Sequence, residues 1–142
     1  VIVVDVNLLI YAYNSAAPQH RAARSWLEDT FSGADVVGLP WAVIHGFLRI
    51  ATSALILPHP YAMGEALAVV DEWLGAGDVR ILEPGRRYWS VLKEVLASGQ
   101  TRGAMVTDAH LAAVAIEQGA TLYTADGDFS RFAGLRTINP LA

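Results

Sequence analysis

The run Val1-Ile2-Val3-Val4, leading straight into Asp5, constrains this chain more than any other stretch. Four consecutive β-branched apolar residues leave no polar face. Such a run fits a strand buried on both sides, as parallel sheets require. The carboxylate that follows stands at the strand's carboxyl end, where open α/β sheets place their ligand sites. It stands equally where an aspartate caps the next helix, and for Asp5 alone capping is the simpler explanation. Asn7 lies two residues on, and Leu8 to Tyr13 can open a helix.

The rest of the chain alternates between the two periods. Pro18 to Phe31 reads as a helix, with Ala22, Ala23, Trp26, Leu27 and Thr30 at helical spacing. Asp35 to Leu39 reads as a second strand, and Trp41 to Thr52 as a helix opened by Pro40. In that helix His45, Gly46 and Arg49 interrupt an apolar stripe. Tyr61 to Leu74 is a further helix, with Met63, Ala66, Leu67, Val70 and Leu74 expected on its buried side. Gly75-Ala76-Gly77 stops it. Val79 to Leu82 is a third strand. A helix from about Arg86 to Ala97 follows, with Tyr88, Trp89, Leu92 and Leu96 expected to face inward. After a loop from Ser98 to Gly103, Met105 to Glu117 is helical. Thr121 to Thr124 is a fourth strand, Asp126-Gly127 a turn signal, and Thr137-Ile138 a last short strand. Strands separated by helical crossovers imply an α/β fold with a mainly parallel sheet. No linker or repeat divides residues 1–142, so one domain is expected.

The absence of cysteine removes disulfides, thiolate metal sites and cysteine nucleophiles together. Hydrophobic residues make up 54% and charged residues 17%, which argues against disorder and hints at an association surface. No apolar run approaches a membrane span and no signal-peptide pattern opens the chain, so no membrane and a cytoplasmic location are expected. A net charge of −4 is unusual for a nucleic-acid binder. With Asp5, Asp108, Asp126 and Asp128 set aside as metal-bound, however, the remaining charges balance. Phosphate affinity would then come from bound cations and local arginines.

Three carboxylates occupy corresponding topological places. Asp5 ends the first strand, Asp126 ends the fourth, and Asp108 lies near the start of the helix that leads into the fourth. Strand ends and helix starts share one edge of a parallel sheet, so all three should meet there. Each has a structural explanation of its own: Asp108 as a helix-start acid, Asp126 as a turn residue. Together they would repel one another, which a divalent cation relieves. All-oxygen ligands point to Mg2+ or Mn2+, and zinc has no cysteine and no HExxH-like histidine pair to bind it. Mg2+ on carboxylates most often handles phosphates. No Walker loop or dinucleotide fingerprint is present, which leaves hydrolysis of phosphodiesters or phosphomonoesters.

Four segments, in this order, resemble the PIN-domain ribonucleases, and within them the VapC toxins of bacterial toxin–antitoxin pairs: Val4 to Ile10, Leu39-Pro40-Trp41 through Phe47 to Thr52, Val106 to Ala113, and Thr124 to Phe129. The resemblance runs from Val1 to Leu141. It implies a three-layer α/β/α sandwich with a central, mainly parallel sheet of four to five strands. It also implies Mg2+- or Mn2+-dependent endonucleolytic cleavage of structured RNA such as tRNA or ribosomal RNA, a homodimer, and a VapB-like antitoxin that covers the site. Asp5, Asp108 and Asp126 match the family's metal-binding acids. Asn7 matches the polar residue that steadies the first acid, and Asp128 a frequent auxiliary acid. Many members carry a glutamate where this chain has Gly46, and an asparagine where it has Ala104. One well-held metal ion is therefore expected, rather than two. Arg49, close to Gly46 in sequence, is a candidate for the scissile phosphate or for an ion pair with an acid. A PIN module that has lost catalysis and only binds RNA or a partner is the alternative. A phosphatase of another α/β fold ranks lower, because Asn7 breaks the Asp-x-Asp pattern such enzymes use.

Overall fold

The computed structural model describes residues 1–142. It contains a five-stranded sheet in the order β3-β2-β1-β4-β5, with every neighbouring pair parallel. The strands are β1 (Ile2–Val4), β2 (Val37–Leu39), β3 (Val79–Ile81), β4 (Thr121–Tyr123) and β5 (Thr137–Ile138). Six helices connect them: α1 (Val6–Tyr13), α2 (His20–Phe31), α3 (Trp41–Ala51), α4 (Met63–Leu74), α5 (Tyr88–Ser98) and α6 (Met105–Glu117). Each strand expected from sequence is present, and α1 begins at Val6, two residues before the expected opening.

Parallel neighbours require crossovers, and right-handed crossovers fix the layers. The chain steps from β1 to β2 to β3 in one direction, with α1 to α4 on one face. It then jumps back across β1 to β4, with α5 and α6 on the other face. The packing agrees: α1 rests on α2 and α3, α3 on α4, and α5 on α6. Strand order reverses beside β1. The crevice between β1 and β4 is thus the place where such sheets bind ligands. No helix is long and apolar enough to cross a membrane.

Burial follows position in the sheet. β1 and β2 are buried along their whole length, as their unbroken apolar runs require. The edge strand β3 alternates, and exposes Arg80, which pairs with Asp78 at 2.6 Å. The core is one cluster of 34 buried residues. Its aromatic centre is Trp73 of α4, edge-on to Phe47, Phe31 and Tyr13 at centroid distances of 4.6, 6.1 and 5.7 Å. The Trp73 indole N–H donates to the Tyr13 hydroxyl at 3.0 Å.

Two helix faces differ from expectation. In α4 the buried residues are Ala66, Val70 and Trp73, while Met63, Leu67 and Leu74 are exposed. In α5 they are Val91, Leu92 and Val95. Trp89 is 63% exposed, and Tyr88 and Leu96 are half-buried. Both helices carry apolar side chains on more than one side. Periodicity alone then offers several faces, and the position of the sheet selects one.

Candidate active site

Asp5 follows β1 directly and occupies the cap position of α1, but its side chain makes no capping hydrogen bond to that helix. It turns instead across the crevice to β4, where Oδ2 accepts a 2.8 Å hydrogen bond from the Thr124 hydroxyl. Helix capping therefore does not account for it. Asp5 is only 9% exposed and has no cationic partner, since the ion pairs of the fold are Arg24–Glu28 and Arg80–Asp78. Burial pushes its pKa up to about 6, and the charges of Asp108 and Asp126 add to this. The Thr124 hydroxyl and the Val6 backbone amide oppose it.

Thr124 ties the two strand ends together. Its oxygen also accepts from the Asp126 backbone N–H at 3.0 Å and from Asn7 Nδ2 at 3.4 Å. Asn7 Oδ1 in turn lies 3.5 Å from the Ala125 backbone N–H. Asn7 thus braces the loop after β4 against α1. Asp126 caps the 3-10 helix Gly127–Arg131, its Oδ1 accepting from the Asp128 N–H at 2.8 Å. The turn signal in the sequence is realised as this short helix.

Asp5 and Asp108 line one cavity of about 80 Å³, together with Val6, Ala42, Val43, Thr107 and Leu111. That volume holds about two or three waters. Asp108 lies in the first turn of α6, which brings it to the same edge as the starts of α1 and α3. Burial, then the charges of Asp126 and Asp128, raise its pKa, and Arg131 opposes the rise. Asp5 thus feels the charges of Asp108 and Asp126, and Asp108 those of Asp126 and Asp128. Larger depressions exist, such as one of about 350 Å³ lined by Tyr13, Arg24, Leu27, Glu28, Glu72 and Trp73, but there Arg24 offsets the two glutamates and pairs with Glu28 at 2.8 Å.

As the side chains stand, no three His, Cys, Asp or Glu residues close on one point in a way that would hold a metal ion. Asp5 and Asp108 share the cavity, and Asp126 lies outside its lining with one oxygen engaged in capping. The donor set nevertheless suits a hard cation: all oxygen, uncompensated in charge, beside a space of hydrated-ion size. No further acid comes from α3. A Cβ on Gly46 would meet Val6 Cγ2 at 3.3 Å, so the bare helix surface there accommodates the branched side chain that lines the cavity.

Arg49 is exposed, does not line the cavity and enters no ion pair. It lies two helical turns below the α3 residues that do line it. Two participants escaped the sequence reading. Thr124 was visible only as part of a motif, because its partners lie 117 and 119 residues away. Arg131 carried no spacing signal at all.

Replacing Thr124 with valine keeps the shape and removes the hydroxyl. The Thr124→Val protein is expected to lose about 1–2 kcal/mol at pH 8, where Asp5 is ionised and left without that donor. The loss should shrink at pH 5, where Asp5 carries a proton. Thermal unfolding at the two pH values checks this; an equal loss at both would separate Thr124 from the Asp5 charge.

The PIN domain family model matches residues 2–135. The chain is 41% identical over 140 residues to Ribonuclease VapC33 of Mycobacterium tuberculosis, covering 99% of this chain and 98% of that protein. It is 37% identical to Ribonuclease VapC37 of the same organism, again over 140 residues, covering 99% and 97%. Among solved structures, VapBC2 from Rickettsia felis, bound to a DNA fragment from its promoter, superposes with a TM-score of 0.70 at 17% identity, covering 97% of each chain. Mycobacterium tuberculosis VapC20, a toxin that cleaves the sarcin-ricin loop, superposes with a TM-score of 0.65 at 22% identity, covering 96% of this chain and 99% of that one. With its parallel α/β/α architecture, its acids at the β1/β4 crevice and this end-to-end similarity, the chain belongs to the PIN domain family and, within it, to the VapC ribonucleases.

Proposed function

We propose that this protein is a divalent-cation-dependent endoribonuclease, the toxin of a toxin–antitoxin pair, acting on structured RNA such as tRNA or ribosomal RNA. The observation that carries the reading is the buried, unpaired Asp5 carboxylate sharing a small cavity with Asp108. It stands in a chain 41% identical, over nearly its whole length, to a named ribonuclease.

Asp5 and Asp108 are the residues that would hold Mg2+ or Mn2+, with Asp126 as the third carboxylate once its side chain turns inward. Bound there, such a cation neutralises phosphodiester charge and lowers the pKa of a coordinated water. Asn7 and Thr124 fix Asp5 and the loop carrying Asp126, so these carboxylates meet substrate from rigid positions. Asp128 is an auxiliary acid at the rim. Arg131 is the one basic side chain that offsets the Asp108 charge, too little to admit an RNA phosphate against four carboxylates. The need for a cation follows from that imbalance. With Gly46 in place of an acid on α3, one strongly held ion is the reading for the free protein.

A VapB-like antitoxin and a second copy of the chain are the protein partners in this reading, in a cytoplasmic setting. Exposed Leu55, Ile56, Met63 and Leu67, with Leu55 98% exposed, give a partner apolar surface to cover. The alternative, a PIN module that binds without cutting, draws support from the open arrangement of the three acids.

Incubating the purified protein with a mixed tRNA and ribosomal RNA pool in Mn2+ separates the two. Discrete cleavage products that EDTA prevents are expected. Intact RNA at micromolar protein, with binding retained, would favour the non-cutting module.

A further inference from the structure

The solvent face of helix α3 has no role in the account so far. Its sequence, Trp41 to Ala51, contains no acidic residue in a chain of net charge −4. Its buried side is Val43, Ile44, Phe47 and Ala51. The side turned to solvent carries Trp41, His45 and Arg49, at i, i+4 and i+8, all three exposed. Trp41 is 47% exposed, and its neighbours Ala42 and Val43 line the acid cavity. Its indole N–H donates to Glu83 Oε1 at 3.3 Å, which holds the ring in place. The His45 ring lies 6.2 Å from the Trp41 ring at 35°, so the two rings continue one another along the helix. Arg49 ends the row with a guanidinium that no carboxylate neutralises.

We propose that this face of α3 is a single-strand RNA track leading away from the cavity. Trp41 stacks on a base beside the cleaved bond, His45 extends the platform, and Arg49 takes a backbone phosphate further along. The proposal rests on the ribonuclease reading for its ligand and deepens it by saying where the strand lies. Three features select RNA over other occupants. An aromatic, an imidazole and a guanidinium in a row are the side chains on which unstacked bases and phosphates are held. Eight residues of helix span about 12 Å, the length of about three stacked nucleotides. The helix itself carries no acid, the Glu83 carboxylate beside the row is engaged by the Trp41 indole N–H, and the row begins beside the acid cavity. A buried indole would have explained Trp41 as core, but Trp73 fills that role.

The test uses protein with its acids intact and a fluorescein-labelled, unstructured 12-nucleotide RNA with phosphorothioate linkages, which resist hydrolysis, followed by anisotropy in Mn2+. Adding Trp41→Ala is expected to weaken binding roughly tenfold with little change in salt dependence. Trp41→Phe should recover most of that loss. Adding Arg49→Ala should weaken binding several-fold and lower the salt slope by about one. Unchanged affinity in the Trp41→Ala protein overturns the track, as does a wild-type protein that binds no single-stranded RNA. A change from dimer to monomer by light scattering, with affinity retained, would assign the face to a second copy instead. Wild-type protein that cuts RNA while Trp41→Ala binds normally loses the track and keeps the nuclease. Wild-type protein that cuts nothing while binding depends on Trp41 keeps the track and loses the nuclease.

Discussion

The Asp5→Asn protein is expected to lose RNA cleavage and, at the same time, to become harder to unfold at neutral pH. The first effect is on the order of a thousandfold or more. It removes a carboxylate from the cation's surroundings, and a cation contributes several kcal/mol to stabilising charge during phosphodiester attack. The second effect comes from the burial of Asp5. Its pKa in the fold is pushed up to about 6, from an unfolded value of 3.8. The folded state therefore binds that proton more tightly than the unfolded chain does. Stability is lost as pH rises between the two values and stays lost above the higher one. A shift of this size corresponds to about 3 kcal/mol in the cation-free protein. An asparagine keeps an oxygen for the Thr124 hydroxyl and carries no charge. Urea unfolding in EDTA should show the variant ahead by about 2–3 kcal/mol at pH 8, and level with wild type below pH 4. A variant less stable at pH 8 would mean that the native fold depends on the charge instead of tolerating it.

The Trp73→Ala protein is expected to be destabilised by about 4 kcal/mol. Trp73 is 2% exposed and touches three other aromatic rings, so truncation opens a cavity that α1, α3 and α4 cannot close together. It also strands the Tyr13 hydroxyl, which receives the indole N–H. Burial already pushes the Tyr13 pKa up, and this donor is one of the groups opposing the rise. Trp89→Ala supplies the internal comparison. That ring is 63% exposed, and its loss should cost about 0.5 kcal/mol or less. A shift in urea midpoint that is equal for the two variants would contradict the placement of the core.

These two tryptophans mark where the sequence stops being sufficient. The strands were legible because β1, β2 and β4 are short apolar runs bounded by turns, and parallel pairing follows from the helices between them. That Asp5 and Asp108 would come to one edge followed from topology alone; that Asp126 would lie outside the lining of their cavity did not. The faces of α4 and α5 did not, because each helix has apolar residues on more than one side and only packing against the sheet decides between Leu67 and Trp73, or between Trp89 and Val95. The cavity itself depends on distances that a pattern of residues does not contain. Thr124 spans two strand ends that meet only after folding, Arg131 enters through a short 3-10 helix, and Arg49, a candidate for the scissile phosphate or an ion pair, lies two turns along α3 from the residues that line the cavity and enters no ion pair. Gly46 was legible as a missing acid. That its bare surface seats Val6 was not.

A calorimetric titration of the purified protein with Mn2+ at pH 8 reaches the central claim most directly. The account predicts one strong site in the wild-type protein, abolished in both the Asp5→Asn and Asp108→Asn proteins. Two strong sites, or a single site that survives removal of either carboxylate, would contradict it.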